Sequence, residues 1–157
     1  MKKIIDHEDQ FLTDKEFWSV LVPELLVKDI SKSEIFYCDL LGFSKKFKRP
    51  EDRFLYIELG HAQLMLEQES DDCWKTAELE APLGRGINFQ IEVADVRKIL
   101  SALENEKYVL YRPLKTNWYR ENEVENGQLE FLVQDPDGYL LRFIQHIGQR
   151  DLDVKNE

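Results

Sequence analysis

An arrangement of one strand, one helix and further strands occurs twice along the 157-residue chain, and this repeat restricts the fold more than any other feature. In the first copy, the apolar segment 21–28 leads to Asp29 and a helical pattern follows. In the second copy, the apolar segment 87–93 leads to Asp95 and again to a helical pattern. Strand-like segments separated by turn residues come after each helix. The sequence therefore predicts an α+β fold built from two βαβββ modules.

The repeat also predicts the boundaries of the domain. One domain is expected over residues 18–148. Its two modules are predicted at about 18–70 and 86–148, with a polar linker at 71–85 between them. Residues 1–17 and 149–157 are predicted to flank the domain. Thr13 to Glu16 match a capping box, so a short helix or an ordered lead-in is expected there. The polar stretch 116–127 is predicted to be a long loop.

Several signals predict how the first helix begins and ends. Asp29 precedes it, as Asp95 precedes the second helix, and both carboxylates are expected to cap. Ser31 to Glu34 match a capping box that opens the helix, and Gly42 is placed as its stop. The predicted buried face carries three apolar residues, Ile35, Cys38 and Leu41.

Composition excludes several classes of function. The net charge of −10 at pH 7 repels nucleic acid and anionic lipid surfaces and favours a cationic ligand. No apolar run approaches the roughly 18 residues of a membrane span, and the acidic N-terminal residues do not fit a signal peptide. A cytoplasmic protein without nucleic acid or membrane partners is therefore expected. The cysteines and histidines lack zinc-site spacing and no nucleophile set is visible, so neither a cofactor nor catalytic residues are predicted.

The last predicted strand carries a candidate functional residue. Arg142 lies between Leu140 and Ile144 on one side of segment 139–145. An arginine in that position is costly unless it faces water, a carboxylate or a ligand. The pattern therefore predicts a trough on this face of the sheet. Arg142 either pairs with Glu67 or contacts the ligand, and the sequence leaves both roles open.

Two motifs at the ends of the repeat resemble those of a known family. The head LLVKDISKSEIFYCDLLGF and the tail QDPDGYLLRFIQ are similar to sequences of the vicinal oxygen chelate superfamily, which contains glyoxalases, bleomycin resistance proteins and dioxygenases. The resemblance covers roughly residues 20–148 and points to the bleomycin resistance branch. It implies that the modules form a curved, cup-shaped mixed sheet with the helices on the outside.

The resemblance also indicates where the enzymes of the superfamily hold a divalent metal. Those positions fall near Val22 and at Met65, Asn88 and Arg142 in this chain. Valine has no donor atom, methionine suits soft metals only, and a guanidinium repels the ion. A shift of two residues brings Glu67 into the trough, which supplies one carboxylate where about three ligands are required. No metal ligand is therefore predicted.

The bleomycin resistance branch sequesters a large cationic drug in the trough, at a two-fold dimer interface. By resemblance, the chain is expected to be a metal-independent homodimer that binds a bleomycin-like antibiotic and is not an enzyme. Such a ligand calls for aromatic faces and carboxylates. The predicted ligand-binding residues are Phe47, Tyr56, Met65, Glu67, Asn88, Trp118, Tyr119 and Arg142.

Other interpretations compete with this hypothesis. A metal-dependent glyoxalase-type lyase or dioxygenase with displaced ligands is the main alternative, and an unrelated small-molecule sensor is another. Phe47 and Tyr56 also suit a hydrophobic core, and Trp118 also suits a dimer contact. Glu58 is either a second carboxylate of the site or a solvated residue.

Overall fold

The computed structural model describes residues 17–152, and the order of its elements repeats as predicted. The strands are β1 Glu24–Val27, β2 Ser44–Arg49, β3 Phe54–Leu59, β4 Ala62–Gln68, β5 Asn88–Glu92, β6 Leu110–Glu121, β7 Val124–Gln134 and β8 Leu140–Asp151. The helices are α1 Ile30–Glu34, which continues as a π-helix over Ile35–Leu40, a 3₁₀ turn at Pro50–Asp52, and α2 Val96–Asn105. Within residues 17–152, no helix is long and apolar enough to cross a membrane.

The strands form two four-stranded mixed sheets of the same topology. The first sheet has the order β1-β4-β3-β2 and the second has the order β5-β8-β7-β6. In each sheet the first strand of the module runs parallel to the last strand, and the remaining pairs are antiparallel. The identical order confirms the predicted α+β fold of two βαβββ modules and agrees with a curved, cup-shaped arrangement.

One hydrophobic core holds the two modules together, because it draws side chains from both sheets and both helices. Each fully buried leucine, isoleucine or phenylalanine contributes about 1.5–3 kcal/mol relative to an exposed position. The fully buried residues from the sheets include Leu55, Ile57, Leu66, Phe131, Leu141 and Phe143. Since alternate residues of a strand face opposite sides, the residues between them lie on faces turned away from this core.

Two buried hydrogen bonds also join the modules. The Tyr37 hydroxyl in the first module donates to the Asp135 carboxylate in the second, over 2.9 Å. The Tyr139 hydroxyl donates to the carbonyl oxygen of Leu26 over 3.0 Å. Asp135 also accepts hydrogen bonds from the backbone of the turn that precedes β8. This turn therefore anchors the second module to the first.

The first helix begins one residue earlier than its predicted capping box. Asp29 is the N-cap, because its carboxylate accepts hydrogen bonds from the backbone N–H groups of Ser31 and Lys32 at 3.0 and 3.2 Å. The predicted box of Ser31 and Glu34 is wrong. Ser31 already lies inside α1, and the Glu34 carboxylate forms an ion pair with Lys45 instead.

The two other predicted helix ends are confirmed. Asp95 caps α2, and its carboxylate accepts a hydrogen bond from the backbone N–H of Arg97 over 2.9 Å. Gly42 follows the π-helix with φ of 83°. A side chain is disfavoured in this left-handed conformation, so glycine ends the helix there.

The buried face of the first helix differs from the prediction because the helix changes geometry. The backbone N–H of Leu41 bonds to the carbonyl of Phe36, five residues earlier, over 3.0 Å. This wider turn shifts the phase of the side chains relative to an α-helix. Ile35 is consequently 59% exposed and Cys38 is half-buried. The buried residues of this segment are Phe36, Tyr37 and Leu41, while Cys38 and Leu40 pack against the core from partly buried positions.

The predicted loop over 116–127 is wrong, since most of it belongs to a long hairpin. β6 and β7 pair along their length, from Glu121 with Val124 next to the turn to Leu110 with Val133 at the far end. Asn122 takes the left-handed conformation in the turn, with φ of 54°. β8 pairs with β7 as far as Asp151, so it extends beyond the predicted domain end at residue 148. The capping box predicted at 13–16 lies outside the described residues.

Candidate functional site

The face of the first sheet that is turned away from the core carries a hollow of about 500 Å³, which we call the aromatic hollow. Four predicted ligand-binding residues line it together: Phe47, Tyr56, Met65 and Glu67. Strand register explains this grouping, because Tyr56 on β3 pairs with both Phe47 on β2 and Met65 on β4. The other lining residues are Glu24, Arg49, Phe54, Asp72, Cys73 and Trp74.

Aromatic rings form one wall of the aromatic hollow. The Phe47 ring stacks on Tyr56 with centroids 5.2 Å apart and on Phe54 with centroids 5.8 Å apart. Arg49 lies 3.9 Å from the centroid of Phe54, at the other end of the stack. Trp74 comes from the connection between the modules, and it is 93% exposed at the rim. This wall offers flat surfaces on which a planar or cationic group can stack.

Two carboxyl groups face each other in the aromatic hollow. Partial burial, a hydrogen bond to Glu67 and repulsion from its charge raise the pKa of Glu24, while Arg49 acts in the opposite direction. Carboxyl groups in such contact resist losing both protons. A cation placed between them would relieve the repulsion. The Cys73 thiol also donates to the Glu67 carboxylate, at 3.5 Å.

The segment that precedes β1 lies across the same face of the first sheet, and it was not predicted from the sequence to be part of the site. The carbonyl of Phe17 accepts hydrogen bonds from Lys46 and from Gln63, each over 2.8 Å. Trp18 lies edge-on to Tyr56 with centroids 5.4 Å apart, and the Lys46 ammonium is 4.4 Å from its ring centroid. Trp18 therefore adds a ring to the edge of the aromatic stack. The adjacent aromatic residues at positions 17 and 18 were the sequence signal for this contact.

The second sheet has its own hollow, of about 290 Å³, which we call the polar hollow. Two predicted residues, Tyr119 and Arg142, line it, whereas Asn88 is exposed on β5. The Arg142 guanidinium donates a hydrogen bond to Gln90, and within residues 17–152 of one chain it lies in a different hollow from Glu67, with which it forms no ion pair. The remaining lining residues are Gln90, Arg120, Glu121, Asn126 and Gln128.

Glu130 on β7 is a buried carboxylate that sequence reasoning missed. Its residue surface is only 6% exposed. One carboxylate oxygen accepts hydrogen bonds from the Asn117 amide over 2.7 Å and from the Tyr119 hydroxyl over 2.8 Å. The hydrogen bond to Glu130 is the main reason that the pKa of Tyr119 is raised. A charged residue within the apolar segment LEFLVQ was a signal of the same kind as Arg142.

Trp118 lies on the opposite face from Tyr119, because neighbouring residues of a strand point to opposite sides. Its ring covers Gly127, where an added Cβ would come within 2.7 Å of the indole. Arg150 lies 4.2 Å from the ring centroid. The prediction that Trp118 lies in a loop is wrong, and the structure does not bring it together with the other predicted site residues.

The positions that hold a metal in related enzymes do not fit one here. Met65 is a thioether in the aromatic hollow, and Arg142 presents a cation in the polar hollow. Asn88 is exposed at the start of β5, and Val22 has no donor atom. Over residues 17–152, no three His, Cys, Asp or Glu side chains are grouped so that they could hold a metal ion. The side chains at these positions are therefore poor ligands for a divalent metal ion.

The aromatic and polar hollows have no lining residue in common within the described part of the chain. Each is open and lies on its own sheet. A third hollow of about 560 Å³ lies on the helical side, between the π-helix, the end of α2 and Pro136. No predicted site residue lines that third hollow, although it is larger, and its walls are mainly helical side chains.

Comparisons with known proteins agree with this architecture. The family description Glyoxalase/Bleomycin resistance protein/Dioxygenase superfamily matches residues 19–143. Bleomycin resistance proteins of Geobacillus stearothermophilus and Staphylococcus aureus are each 31% identical over 136 residues, which cover 80% of this chain and 96% of theirs. The crystal structure of TioX from Micromonospora sp. ML1 has a TM-score of 0.64 at 18% identity, covering 83% of this chain and 100% of that one. The chain belongs to the glyoxalase/bleomycin resistance protein/dioxygenase superfamily.

Proposed function

We propose that the protein is a metal-independent binding protein that sequesters a bleomycin-like cationic antibiotic in the cytoplasm. The observation that carries the proposal is the aromatic hollow, where stacked rings lie beside the paired carboxyl groups of Glu24 and Glu67. Relatives named bleomycin resistance protein, 31% identical to this chain, support it. Sequestration confers tolerance by mass action, so no turnover is required.

The charges of the aromatic hollow favour a cation. Three acidic residues, Glu24, Glu67 and Asp72, line it against one basic residue, Arg49. A bound cation removes the repulsion between the two carboxyl groups and gains a charge-assisted hydrogen bond. The overall charge of −10 adds long-range attraction for the same ligand. Planar rings of the ligand would stack on Phe47 and Tyr56.

We propose that two copies of the chain complete the site. Pockets for drug-sized ligands enclose most of the ligand surface. The aromatic and polar hollows of one chain lie on separate sheets and are both open, so neither encloses such a ligand alone. A two-fold dimer that places the aromatic hollow of one copy against the polar hollow of the other would create two equivalent enclosed sites. Light scattering should give a mass near twice 18.7 kDa, and a monomeric mass would contradict this arrangement.

Isothermal titration calorimetry with copper-free bleomycin tests the binding function. The wild-type protein should bind it with a measurable heat, and Glu67→Gln should weaken binding about tenfold by removing a charged acceptor. Glu104→Gln is the matched control, because it removes the same charge from an exposed position on α2. If both variants weakened bleomycin binding equally, the loss of affinity would be due to net charge and not to a contact with Glu67.

Two outcomes would contradict the proposal as a whole. One is the absence of heat and of any change in tryptophan fluorescence at bleomycin concentrations of about 100 μM. The other is a stoichiometric, tightly bound transition metal in protein purified without added chelator. The second result would favour the metal-dependent enzyme instead.

A further inference from the structure

We propose that the polar hollow recognises a primary amide group of the ligand through Gln128 and Arg142, which line it, and through Glu130, which adjoins it at the hydrogen bond from the Tyr119 hydroxyl. This inference rests on the proposed small-molecule binding function and assigns a different chemistry to each hollow. The aromatic hollow takes the planar, cationic part of the molecule, and the polar hollow takes an uncharged end that both donates and accepts hydrogen bonds.

Three buried side-chain atoms on this face have no hydrogen-bond partner within residues 17–152. They are Oε1 of Gln128, Oε2 of Glu130 and Nε of Arg142. Gln128 and Glu130 are two residues apart on β7 and share its face. Arg142 on β8 pairs with Leu132, the next residue along that face, so it is a diagonal neighbour of Glu130. Buried polar atoms are nearly always paired in native structures. Three unpaired atoms on one face therefore indicate that another molecule supplies the missing partners.

Glu130 is the strongest of the three observations. It is 6% exposed, and its other oxygen is already held by Asn117 and Tyr119. These two bonds orient the carboxylate, so the unpaired Oε2 has a fixed position. Leaving a buried carboxylate oxygen without a donor is costly, which makes this atom a specific acceptor for an incoming N–H group.

The unpaired atoms define the class of ligand group. Two of them, on Gln128 and Glu130, are acceptors, and the third, on Arg142, is a donor. A primary amide has two N–H donors and one carbonyl acceptor, which is the complementary set. The opposite charges of Glu130 and Arg142 cancel, so the set favours neither a cation nor an anion. A carboxylate has no N–H donor, and an ammonium group has no acceptor.

Benzamide is a suitable probe, because it presents a primary amide on a small ring. Titration into the ¹⁵N-labelled protein should shift the backbone amide resonances of Tyr119, Gln128 and Arg142. Benzoate lacks the donors, benzamidine lacks the acceptor, and N,N-dimethylbenzamide keeps only the carbonyl. Each of these three should bind at least about fivefold more weakly than benzamide. Equal affinity of any of them, or shifts confined to the aromatic hollow, would overturn the proposal.

Variants test the same assignment from the protein side. Glu130→Gln places an N–H group where an acceptor is needed and should weaken benzamide binding at least about fivefold. Glu125→Gln is the control, because Glu125 is on the same strand but pairs with Arg150 over 2.7 Å outside the polar hollow. Gln128→Leu removes another acceptor and serves if Glu130→Gln does not fold. Unchanged benzamide affinity in a folded variant of either acceptor would refute the assignment.

The benzamide experiment is separate from the bleomycin titration. Benzamide binding at the polar hollow without bleomycin binding would contradict sequestration of that drug and keep the amide site. Bleomycin binding without benzamide binding would keep the proposed function and contradict the amide site.

Discussion

Replacing Asp135 by asparagine is expected to change how the stability of the protein depends on pH. Asp135 is 4% exposed, and burial raises its pKa from 3.8 to about 6, although hydrogen bonds from Tyr37 and from the backbone of Tyr139 and Asp137 act in the opposite direction. Between pH 3.8 and about pH 6, the Asp135 carboxyl group is therefore protonated in the folded state and ionised in the unfolded state. The stability gained from that proton is present below pH 4 and is lost as the pH rises through 6.

The size of this effect follows from the two pKa values. A pKa of about 6 in the folded state and 3.8 in the unfolded state corresponds to about 3 kcal/mol over the whole range. Between pH 8 and pH 5 the expected gain is about 1.4 kcal/mol, or tenfold in the unfolding equilibrium. The asparagine side chain of the Asp135→Asn variant has no titrating group, while its amide oxygen would still accept the backbone hydrogen bonds of the turn.

Urea unfolding followed by tryptophan fluorescence at pH 5 and pH 8 provides the assay. The difference in unfolding free energy between the wild type and Asp135→Asn should favour the wild type by about 1.4 kcal/mol more at pH 5 than at pH 8. Tyr37→Phe removes a donor that lowers the pKa of Asp135, so it should enlarge the dependence. The reasoning would be refuted if the unfolding free energy of the wild type relative to Asp135→Asn were lower at pH 5 than at pH 8. The folded state would then favour the ionised form of Asp135.

Three further substitutions test other parts of the structure. Gly127→Ala should destabilise the protein by about 1–3 kcal/mol in urea unfolding, because its Cβ would lie 2.7 Å from the Trp118 ring; an unchanged midpoint would contradict this packing. Trp74→Ala should weaken bleomycin binding in calorimetry without lowering the melting temperature, since the indole is 93% exposed at the rim of the aromatic hollow; a lower melting temperature would indicate a structural role instead. Tyr119→Phe should cost about 1 kcal/mol of unfolding free energy by removing a hydrogen bond to Glu130, and a neutral effect would show that this bond contributes nothing.

Much of the fold could be predicted because local signals and the repeat agree. Asp29 and Asp95 precede both helices and cap them as expected. The hairpin of β6 and β7 was missed because many of its residues around 116–127 are polar on both faces, so no apolar alternation identifies a strand. The π-helix was missed because its wider turn leaves no separate sequence signature and only shifts the spacing of buried residues.

The site could be predicted only in part, because sequence alternation assigns faces within a strand but not between sheets. Tyr56 and Met65 lie together since their strands are adjacent in the same sheet. Pairing with Glu67 was one of two open roles for Arg142, yet the two residues belong to different sheets, and that separation depends on how the modules pack. Glu130 was overlooked, although its charge within an apolar strand carried the same kind of information as Arg142.

The separation of the aromatic and polar hollows has a consequence for how ligand preference can evolve. Each hollow depends on the register of its own sheet, and no lining side chain serves both within the described residues. Substitutions that are far apart and share no partners usually have additive effects. If the two hollows bind opposite ends of one ligand, as we propose, selection could therefore alter the preference for one end while leaving the preference for the other end intact. A duplicated module provides a route to new ligand combinations in which each half is adapted in turn.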